Sequence, residues 1–536
     1  MKGRVVIAMA LVAVACLGGT VGTQAPAGQA PATPQVPGTT ARQAIDAAAA
    51  ALGEAERILG LKNLTLIGYA QYAYQNGGGN ITSLPGAPQK YIAANDYRRV
   101  YDLEHGRMRH LERRNDLFPF AAYGGHNFAL QNQVLDGSTA YNVNEKGQAF
   151  RAGDARDRRM WMHTNPIVAV RAVLNGTATA SNRRQESGLT LVDLRLKEGD
   201  ALTIAIRPPS NTPAWVRWSG PNTNLGEVVY TTHFYGYVPF NGVRLPLGYT
   251  TRLNWRDIDF LKLYVDNYLI DTQIDDMAAP ATLATAPAGR GGGPGGGPGA
   301  VNVQVTPVAR GLWRITGGTI VIEFADHMTL FEVGGGAERV AAVIKAARQI
   351  VPSKPVTEVI VSHHHFDHTA GLRQAVAEGL TVISRRDNGV IFREMTSRPT
   401  PNFPDALGRN PKPLKFVPVD DHLQLKDATM TVDLYHVIAN NHMADAVFAY
   451  IPEHKAMIEG DIATAAEDLQ WWGDSWLDNI NYRKIDVQLN VPVHMDVMTR
   501  DQVIKMVTPG IQRVKEFCAQ HLAKGNYFQG CPAQVR

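Results

Sequence analysis

A chain of 536 residues is long enough for two to four domains, since a domain averages about 150 residues. Hydrophobic residues make up 45% of the sequence, which is ample for sizeable buried cores. The formal net charge is only +4 and no basic cluster occurs, so a nucleic-acid-binding protein is not expected, and the charge gives no argument for binding to an anionic membrane surface.

The first 25 residues have the layout of a secretory signal peptide. Lys2 and Arg4 precede an apolar run over residues 5–15, and small residues follow it. The run is too short to cross a membrane, which takes about 20 apolar residues, and no longer run follows. We therefore expect an exported protein without a transmembrane segment.

Cys16 leaves the final location open. Residues 13–16, Ala-Val-Ala-Cys, loosely resemble a lipoprotein box, in which Cys16 would be acylated after cleavage. Cleavage farther along, near Ala25 or Ala30, would instead release a soluble protein. The sequence thus predicts a periplasmic or secreted protein, with a membrane-anchored lipoprotein as the alternative.

A Pro/Ala-rich spacer at residues 26–41 leads into a segment, 42–277, that we predict to be a mainly antiparallel β domain. Thr40 is placed to cap an Ala-rich amphipathic helix that runs to about Leu59. Short segments of β character then follow at residues 64–74, 97–113, 191–206, 214–218, 228–237, 245–255 and 261–270. One helix followed by successive strands indicates a curved antiparallel sheet, and no set of catalytic residue types stands out in it.

Residues 278–302 are rich in Gly, Pro and Ala and are predicted to form a flexible linker between two independent folding units. The second unit, residues 303–536, begins with strands and hairpins. Residues 337–350 then carry apolar residues at helical spacing, which predicts a helix.

A histidine-rich loop in this second unit carries the clearest chemical signal. The run before it, residues 356–361, is β-branched at five of six positions and predicts a buried strand that leads into the loop. His363 and His365 are two apart at the strand end, so they can point to one side, while Asp367 and His368 follow on the turn. Four such groups facing one small volume suit Zn²⁺ or another borderline cation.

This His-x-His-x-Asp-His stretch resembles the metal-binding signature of the metallo-β-lactamase superfamily. The resemblance covers about residues 303–510 and implies an αββα sandwich, with the next helix running from just after Phe366 to about residue 378. The predicted fold class is therefore a layered α+β protein, in which a mainly antiparallel β domain precedes an αββα catalytic domain.

The resemblance also implies three further ligands downstream, each after a strand. Residues 430–437 alternate like a strand and lead into a loop that offers His442, although His436 competes for this role. A later strand pair ends in Gly-Asp at Asp461, and His494 closes the series. By this resemblance, one metal is held by His363, His365 and His442, a second by Asp367, His368 and His494, with Asp461 between them. Two Zn²⁺ ions are expected, with iron or manganese as alternatives.

Two positions near the motif depart from the family pattern or add to it. Glu332 follows an early strand where the family usually has an aspartate, so it either fixes the histidine loop or faces solvent. His364 occupies a variable position and is expected to point away from the metals.

The implied activity is hydrolysis by a metal-bound hydroxide, because a bound cation brings the pKa of water to about 7. Asp367 would orient this nucleophile in addition to binding metal. The expected substrates are small molecules with an ester, lactone, thioester or amide bond, β-lactams included. Trp471, Trp472 and Trp476 offer an apolar wall at the mouth of the site, or else they pack against the other domain.

Two other functions stay open. One is a mononuclear iron enzyme resembling the sulfur dioxygenases of this superfamily, which would use His363, His365 and His442 with one carboxylate. The other makes the first half the functional part: residues 42–275 loosely resemble the half-barrel domains of bacterial lipoprotein carriers, which implies either a carrier of apolar ligands or a scaffold for the enzyme domain.

The remaining cysteines, Cys518 and Cys531, can pair in an oxidising compartment and pin the C-terminal tail. No cysteine falls near a candidate ligand, so a cysteine-dependent second metal site is not expected.

Overall fold

The structure, a computed structural model, describes most of the chain from residue 40 onward. The described residues are 40–74, 82–87, 89–116, 129–283, 302–440, 442–463, 474–526 and 531. The predicted signal peptide with Cys16 lies outside them, as do residues 284–301 of the predicted linker. Over the described ranges, no helix combines the length and apolar character needed to cross a membrane.

The N-terminal half is a large antiparallel sheet with helices packed on it. Its described helices are α1 (Ala41–Leu52), α2 (Ala55–Gly60), α3 (Ala155–Met162) and α4 (Pro166–Leu174). Its strands are β1 (Asn63–Ala73), β2 (Tyr91–Asp102), β3 (Arg107–Asp116), β4 (Ala129–Asp136), β5 (Thr139–Val143), β6 (Ala149–Ala152), β7 (Ala178–Glu186), β8 (Leu189–Leu196), β9 (Ala201–Arg207), β10 (Thr212–Asn222), β11 (Gly226–Phe240), β12 (Val243–Leu253) and β13 (Asp259–Ile270). They form one sheet in the order β6-β5-β4-β3-β2-β1-β13-β12-β11-β10-β9-β8-β7, so the first and last strands lie side by side in its middle.

The first helix begins where the sequence predicts. Thr40 and Gln43 form a reciprocal capping box at its start. The predicted continuous helix to Leu59 is instead two helices, because the chain turns at Gly53, whose φ of +132° is open mainly to glycine. Helices α1 and α4 bury their apolar residues against the sheet in the main core of this half.

Strands with a clear apolar pattern were predictable, and polar strands were not. The segment 97–113, predicted as one stretch of β character, is a hairpin of β2 and β3 with its turn at Gly106. Strands β4 to β7 were missed. In β7 the sequence Ala-Thr-Ala-Ser-Asn-Arg-Arg-Gln-Glu has no apolar alternation, and only its first residue is buried, so its pairing with β8 specifies the strand.

The C-terminal half has two sheets between helices. Its described helices are α5 (Ala337–Ile350), α6 (Phe366–Thr369), α7 (Leu372–Glu378), α8 (Asn388–Ser397), α9 (Ala406–Arg409), α10 (Ser475–Arg483) and α11 (Arg500–Ala523). One sheet has the strands β14 (Val305–Ala309), β15 (Leu312–Ile315), β16 (Thr319–Glu323), β17 (Met328–Phe331), β18 (Val356–Ile360), β19 (Thr381–Arg385) and β20 (Lys415–Val419), and the other has β21 (His422–Lys426), β22 (Thr431–His436), β23 (Val447–Ile451), β24 (Ala456–Glu459), β25 (Leu489–Pro492) and β26 (Met498–Thr499).

Three hydrophobic cores order these elements into layers. The first lies between the seven-stranded sheet and helices α5, α7 and α8. The second lies between the two sheets, and the third between the six-stranded sheet and helices α10 and α11. The predicted αββα sandwich is confirmed. The helix predicted after Phe366 is broken at Ala370 and Gly371 into α6 and α7.

The two halves share a hydrophobic core, which the sequence did not indicate. Leu225, Val228 and Trp255 of the N-terminal sheet are buried in the same cluster as the residues of α5, α7 and α8. The start of the predicted linker also packs against the N-terminal sheet. Leu283 is only 6% exposed and packs in a cluster with Val134 of β4.

Candidate metal centre

The histidine loop is held between the two sheets. Strand β18 ends at Ile360, and the loop that follows it is buried up to the start of α6 at Phe366. The Val361 amide donates to the Ile383 carbonyl on β19 at 2.9 Å, and the Ser362 carbonyl accepts from the Val447 amide on β23 at 2.8 Å. The loop is thus tied to both sheets, which fixes the position of its side chains.

The structure brings all seven predicted ligands together in two groups of four that share one carboxylate. In each group the ligand atoms lie within 4.8 Å of one another. The first group is His363, His365, His442 and Asp461, and the second is Asp367, His368, Asp461 and His494. That these groups bind metal stays a prediction.

Asp461 lies at the centre of the cluster. Its Oδ2 atom is 3.0 Å from His442 Nε2 and 3.7 Å from His363 Nε2 on one side. The same oxygen is 3.1 Å from His368 Nε2 on the other side, and Oδ1 is 3.2 Å from His494 Nε2. A carboxylate in this position can bridge two cations.

Within each group, imidazole nitrogens approach each other closely. His363 Nε2 lies 2.9 Å from His365 Nδ1, and His368 Nε2 lies 3.0 Å from His494 Nε2. Neighbouring ligands in a tetrahedral zinc site with bonds of about 2.0–2.1 Å are separated by roughly 3.3 Å. The nitrogen and carboxylate set therefore fits a borderline divalent cation in each group.

The protonation of the first group suits metal binding. Burial lowers the pKa of His363 and of His365 well below the usual range, so both imidazoles are neutral at neutral pH. Burial alone would raise the pKa of Asp461, but the neighbouring His368 and His442 outweigh it and hold that pKa well below its usual range. Neutral imidazoles and an ionised carboxylate are the forms that ligate cations.

The exposed side of the centre is at Asp367 and His494. Their side chains are 34% and 44% exposed, whereas those of His363 and His368 are fully buried. Asp367 Oδ2 lies 3.4 Å from His368 Nε2 and 3.4 Å from His494 Nε2. A small molecule can therefore approach the second group from solvent.

Glu332 is buried and fixes the histidine loop, so the alternative that it faces solvent is wrong. Its Oε1 atom accepts a hydrogen bond from the Ser362 amide at 2.9 Å, and its Oε2 atom lies 3.4 Å from His368 Nδ1. Ser362 Oγ in turn lies 2.8 Å from His363 Nδ1. One histidine of each group thus has an outer partner that orients its ring.

A second set of contacts positions Asp461. The buried Glu459 accepts hydrogen bonds from the Ile462 amide at 2.8 Å and from Asn490 Nδ2 at 3.1 Å. Trp476 Nε1 donates to Asn490 Oδ1 at 3.0 Å. The prediction that Trp476 lines the mouth of the site is therefore wrong, because its side chain is fully buried. Through Asn490 it contacts Glu459, which holds the backbone next to Asp461.

Gly460 allows the close approach of this loop to the histidine loop. A Cβ atom at this position would clash with Ser362 Oγ and would lie 3.3 Å from Glu332 Oε1. Glycine is thus the residue that fits between Asp461 and the buried polar groups.

The structure distinguishes the two histidines that compete for the third ligand position of the first group. His442 lies in the cluster, whereas His436 is outside it, with Nε2 2.9 Å from the Ala444 carbonyl. His364 is buried and outside both groups, as expected. Trp471 and Trp472 lie outside the described residues.

The N-terminal half contacts the metal loops directly. Asn224 Nδ2 donates to the Phe366 carbonyl at 2.8 Å and to Thr369 Oγ1 at 2.9 Å. On the other side, Asp445 Oδ2 accepts from the Ser83 amide at 2.8 Å. Two loops of the N-terminal half therefore brace the segments that carry His365 and His442.

Sequence reasoning missed these supporting residues. Glu459 had a local signal, namely an acid in the otherwise apolar run Ala-Met-Ile before the Gly-Asp pair. Ser362 immediately precedes the motif, so it could have been proposed as a partner of His363. Asn224 had no such signal, because its partners lie more than 140 positions along the chain.

Part of the C-terminal half matches a known protein family. Residues 318–492 match the family model of the metallo-beta-lactamase superfamily. A search of curated proteins found no match.

Among solved structures, the chain is similar to a metallo-beta-lactamase from Pontibacter korlensis, at 15% identity over 39% of this chain and 99% of that one, with a TM-score of 0.31. A metallo-beta-lactamase from Hirschia baltica is similar at 16% identity over 38% and 96%, with a TM-score of 0.30. The mono-zinc form of the metallo-beta-lactamase FIM-1 from Pseudomonas aeruginosa is similar at 15% identity over 40% and 97%, with a TM-score of 0.30.

The C-terminal half is therefore a metallo-β-lactamase-fold domain, and its fold family is one of metallohydrolases. In this chain the domain follows a large antiparallel β-sheet domain.

Proposed function

We propose that this protein is an exported dinuclear zinc hydrolase that cleaves an ester, lactone, thioester or amide bond, with β-lactams among the candidate substrates. The observation that carries the proposal is the sharing of Asp461 by two complete groups of ligands. A mononuclear iron enzyme would need only one histidine group with a carboxylate. It would give no role as ligands to Asp367, His368 and His494 of the second group.

The two groups of ligands would have different roles. His363, His365 and His442 would hold one cation, and the more exposed second group would hold the other beside solvent. Two cations bound there would polarise a substrate carbonyl and make a water nucleophilic near neutral pH. Asp367, ionised and partly exposed, is placed to orient that nucleophile.

Export is supported by two features. The first 25 residues have a basic start followed by a short apolar run. A disulfide joins Cys518 of α11 to Cys531, and such bonds persist in oxidising compartments.

Hydrolysis assays of the purified full-length protein test this proposal. We expect turnover of at least one substrate among an aryl ester, a lactone, a thioester and a β-lactam, with loss after chelation and recovery on adding zinc. Asp461→Asn should abolish turnover, whereas Asp486→Asn, at an exposed ion pair with Lys455, should retain it. Failure of the folded, metal-loaded protein on all four classes, or equal rates in the Asp461 variant, would overturn the proposal.

A further inference from the structure

The N-terminal half encloses a cavity that has no part in the metal centre. Its volume is about 330 Å³, which is at the lower end of the range of small-molecule sites. It is lined by strands β1–β4 and β10–β13, by helix α3 with its N-terminal cap, and by the turn between β10 and β11. It differs from the apolar groove of a simple carrier because charged groups contribute to its wall.

Arg99 is the unusual group in this wall. Its residue is only 4% exposed, yet among the described residues no carboxylate oxygen lies within 4.0 Å of its guanidinium. Its polar neighbours are hydroxyls: Nη1 is 3.5 Å from Thr164 Oγ1, and the Tyr101 hydroxyl contacts the group. Nε has no hydrogen-bond partner in the described structure.

The other two guanidinium groups that line the cavity are paired. Arg158 Nε lies 2.9 Å from Asp154 Oδ1, and the rest of its guanidinium donates mainly to backbone carbonyls. Arg114 pairs with the buried Glu112. Among the described residues that line the cavity, Arg99 is therefore the one guanidinium without a carboxylate partner. Since an unpaired buried charge is costly, a bound anion would stabilise this arrangement.

Four aromatic rings also line the cavity. Trp161 contacts Tyr230 with ring centroids 5.7 Å apart and Phe260 at 6.0 Å, and Tyr72 contacts Phe260 at 6.2 Å. The four rings form a surface for an apolar or aromatic group. Asp157 on α3 and Asp154 at its N-terminal cap would repel a ligand with several negative charges.

We propose that this cavity binds a small organic monocarboxylate, with its carboxylate on Arg99 and its alkyl or aromatic body against Trp161, Tyr230 and Phe260. A planar guanidinium can hold a carboxylate through two parallel hydrogen bonds, and the Arg99 side chain lines the cavity without a carboxylate partner of its own. This site is separate from the hydrolytic centre and does not depend on the function proposed for it.

Calorimetric titration of the full-length protein with phenylacetate and octanoate, each compared with its neutral amide, tests the site. We expect both carboxylates to bind, and their amides to bind at least about tenfold more weakly, because a charge-assisted hydrogen bond is lost. Arg99→Gln should remove this preference. Arg217→Gln is the matched control, because Arg217 lies on β10 outside the cavity and bonds to Thr231.

Two further variants distinguish binding in this cavity from binding at the metal centre. Ile92→Trp should fill the cavity and prevent binding while leaving Arg99 in place, which keeps the test valid if the Arg99 variant does not fold. His494→Ala should bind the carboxylates as the unaltered protein does. Equal affinity for acids and amides, no binding at millimolar concentration, or binding that is lost only in the His494 variant would overturn the proposal.

Discussion

Asn224, on the turn between two strands of the N-terminal sheet, donates a hydrogen bond of 2.9 Å to Thr369 Oγ1 in the short helix α6, which carries Asp367 and His368. Thr369 Oγ1 itself donates to the His365 carbonyl at 2.9 Å. A residue of one domain thus bonds directly to the segment of the other domain that carries the candidate ligands His365, Asp367 and His368. The N-terminal domain is therefore part of the support of the candidate centre.

Replacing Asn224 by alanine should loosen this segment. Both hydrogen bonds of the amide are buried, so we expect the free energy of unfolding to fall by about 1–3 kcal/mol. Metal should also leave faster when a chelator is added. The control is Asn402→Ala, which removes an interdomain contact to Glu227 away from the metal loop. Equal rates of metal loss in the two variants would contradict a positioning role for Asn224.

The two candidate third histidines can be distinguished by substitution. His442→Ala should release the cation of the first group, because His442 Nε2 lies 3.0 Å from the shared Asp461. His436→Ala should keep full metal content, since His436 bonds to a backbone carbonyl outside the cluster. Elemental analysis after dialysis measures both, and the reverse pattern would show that the loop is arranged differently.

Trp476 should affect stability and not substrate binding. Trp476→Phe keeps most of the volume but removes the donor to Asn490, so we expect a loss of about 0.5–1.5 kcal/mol in unfolding free energy with little change in KM. Trp476→Ala should cost about 3–5 kcal/mol. Denaturant unfolding and steady-state kinetics on the same samples check this, and a KM that rises in the phenylalanine variant without a loss of stability would restore the role in substrate binding.

Glu112 should make the N-terminal domain sensitive to acid. Burial alone would raise its pKa, but His110 and Arg114 outweigh burial and lower that pKa to about 2, from an ordinary value of 4.5. A lowered carboxyl pKa contributes stability that is present above about pH 4.5 and is lost as the pH falls toward 2.

The test is the free energy of unfolding, measured from pH 6 to pH 3, for the unaltered protein and for Glu112→Gln. The unaltered protein should lose more stability over this range than the variant does. Parallel curves would show that Glu112 is not held ionised by its neighbours.

Features that depend on residues close together in the chain could be predicted from the sequence. The strand before the histidine motif follows from a β-branched run, and the helix at residues 337–350 follows from apolar periodicity. Long-range packing could not be predicted in this way. The burial of Trp476 depends on how α10 packs on the second sheet, and the contact of Asn224 depends on the docking of two domains.

Polar strands also could not be predicted from the sequence. Strand β7 is set by hydrogen bonds to its neighbour, and these are invisible in a sequence with no apolar alternation. The choice between His436 and His442 was open for a similar reason, because the strand ends at His436 and only the folded loop brings His442 back to Asp461.

The most direct test of a shared carboxylate between two cation sites is the metal content of the full-length protein, purified without added metal or chelator. We expect about two zinc ions per chain, falling to about one in an Asp367→Ala, His368→Ala double variant, because those residues belong only to the second group. A single iron per chain, or well-folded protein that binds no metal, would contradict the dinuclear account.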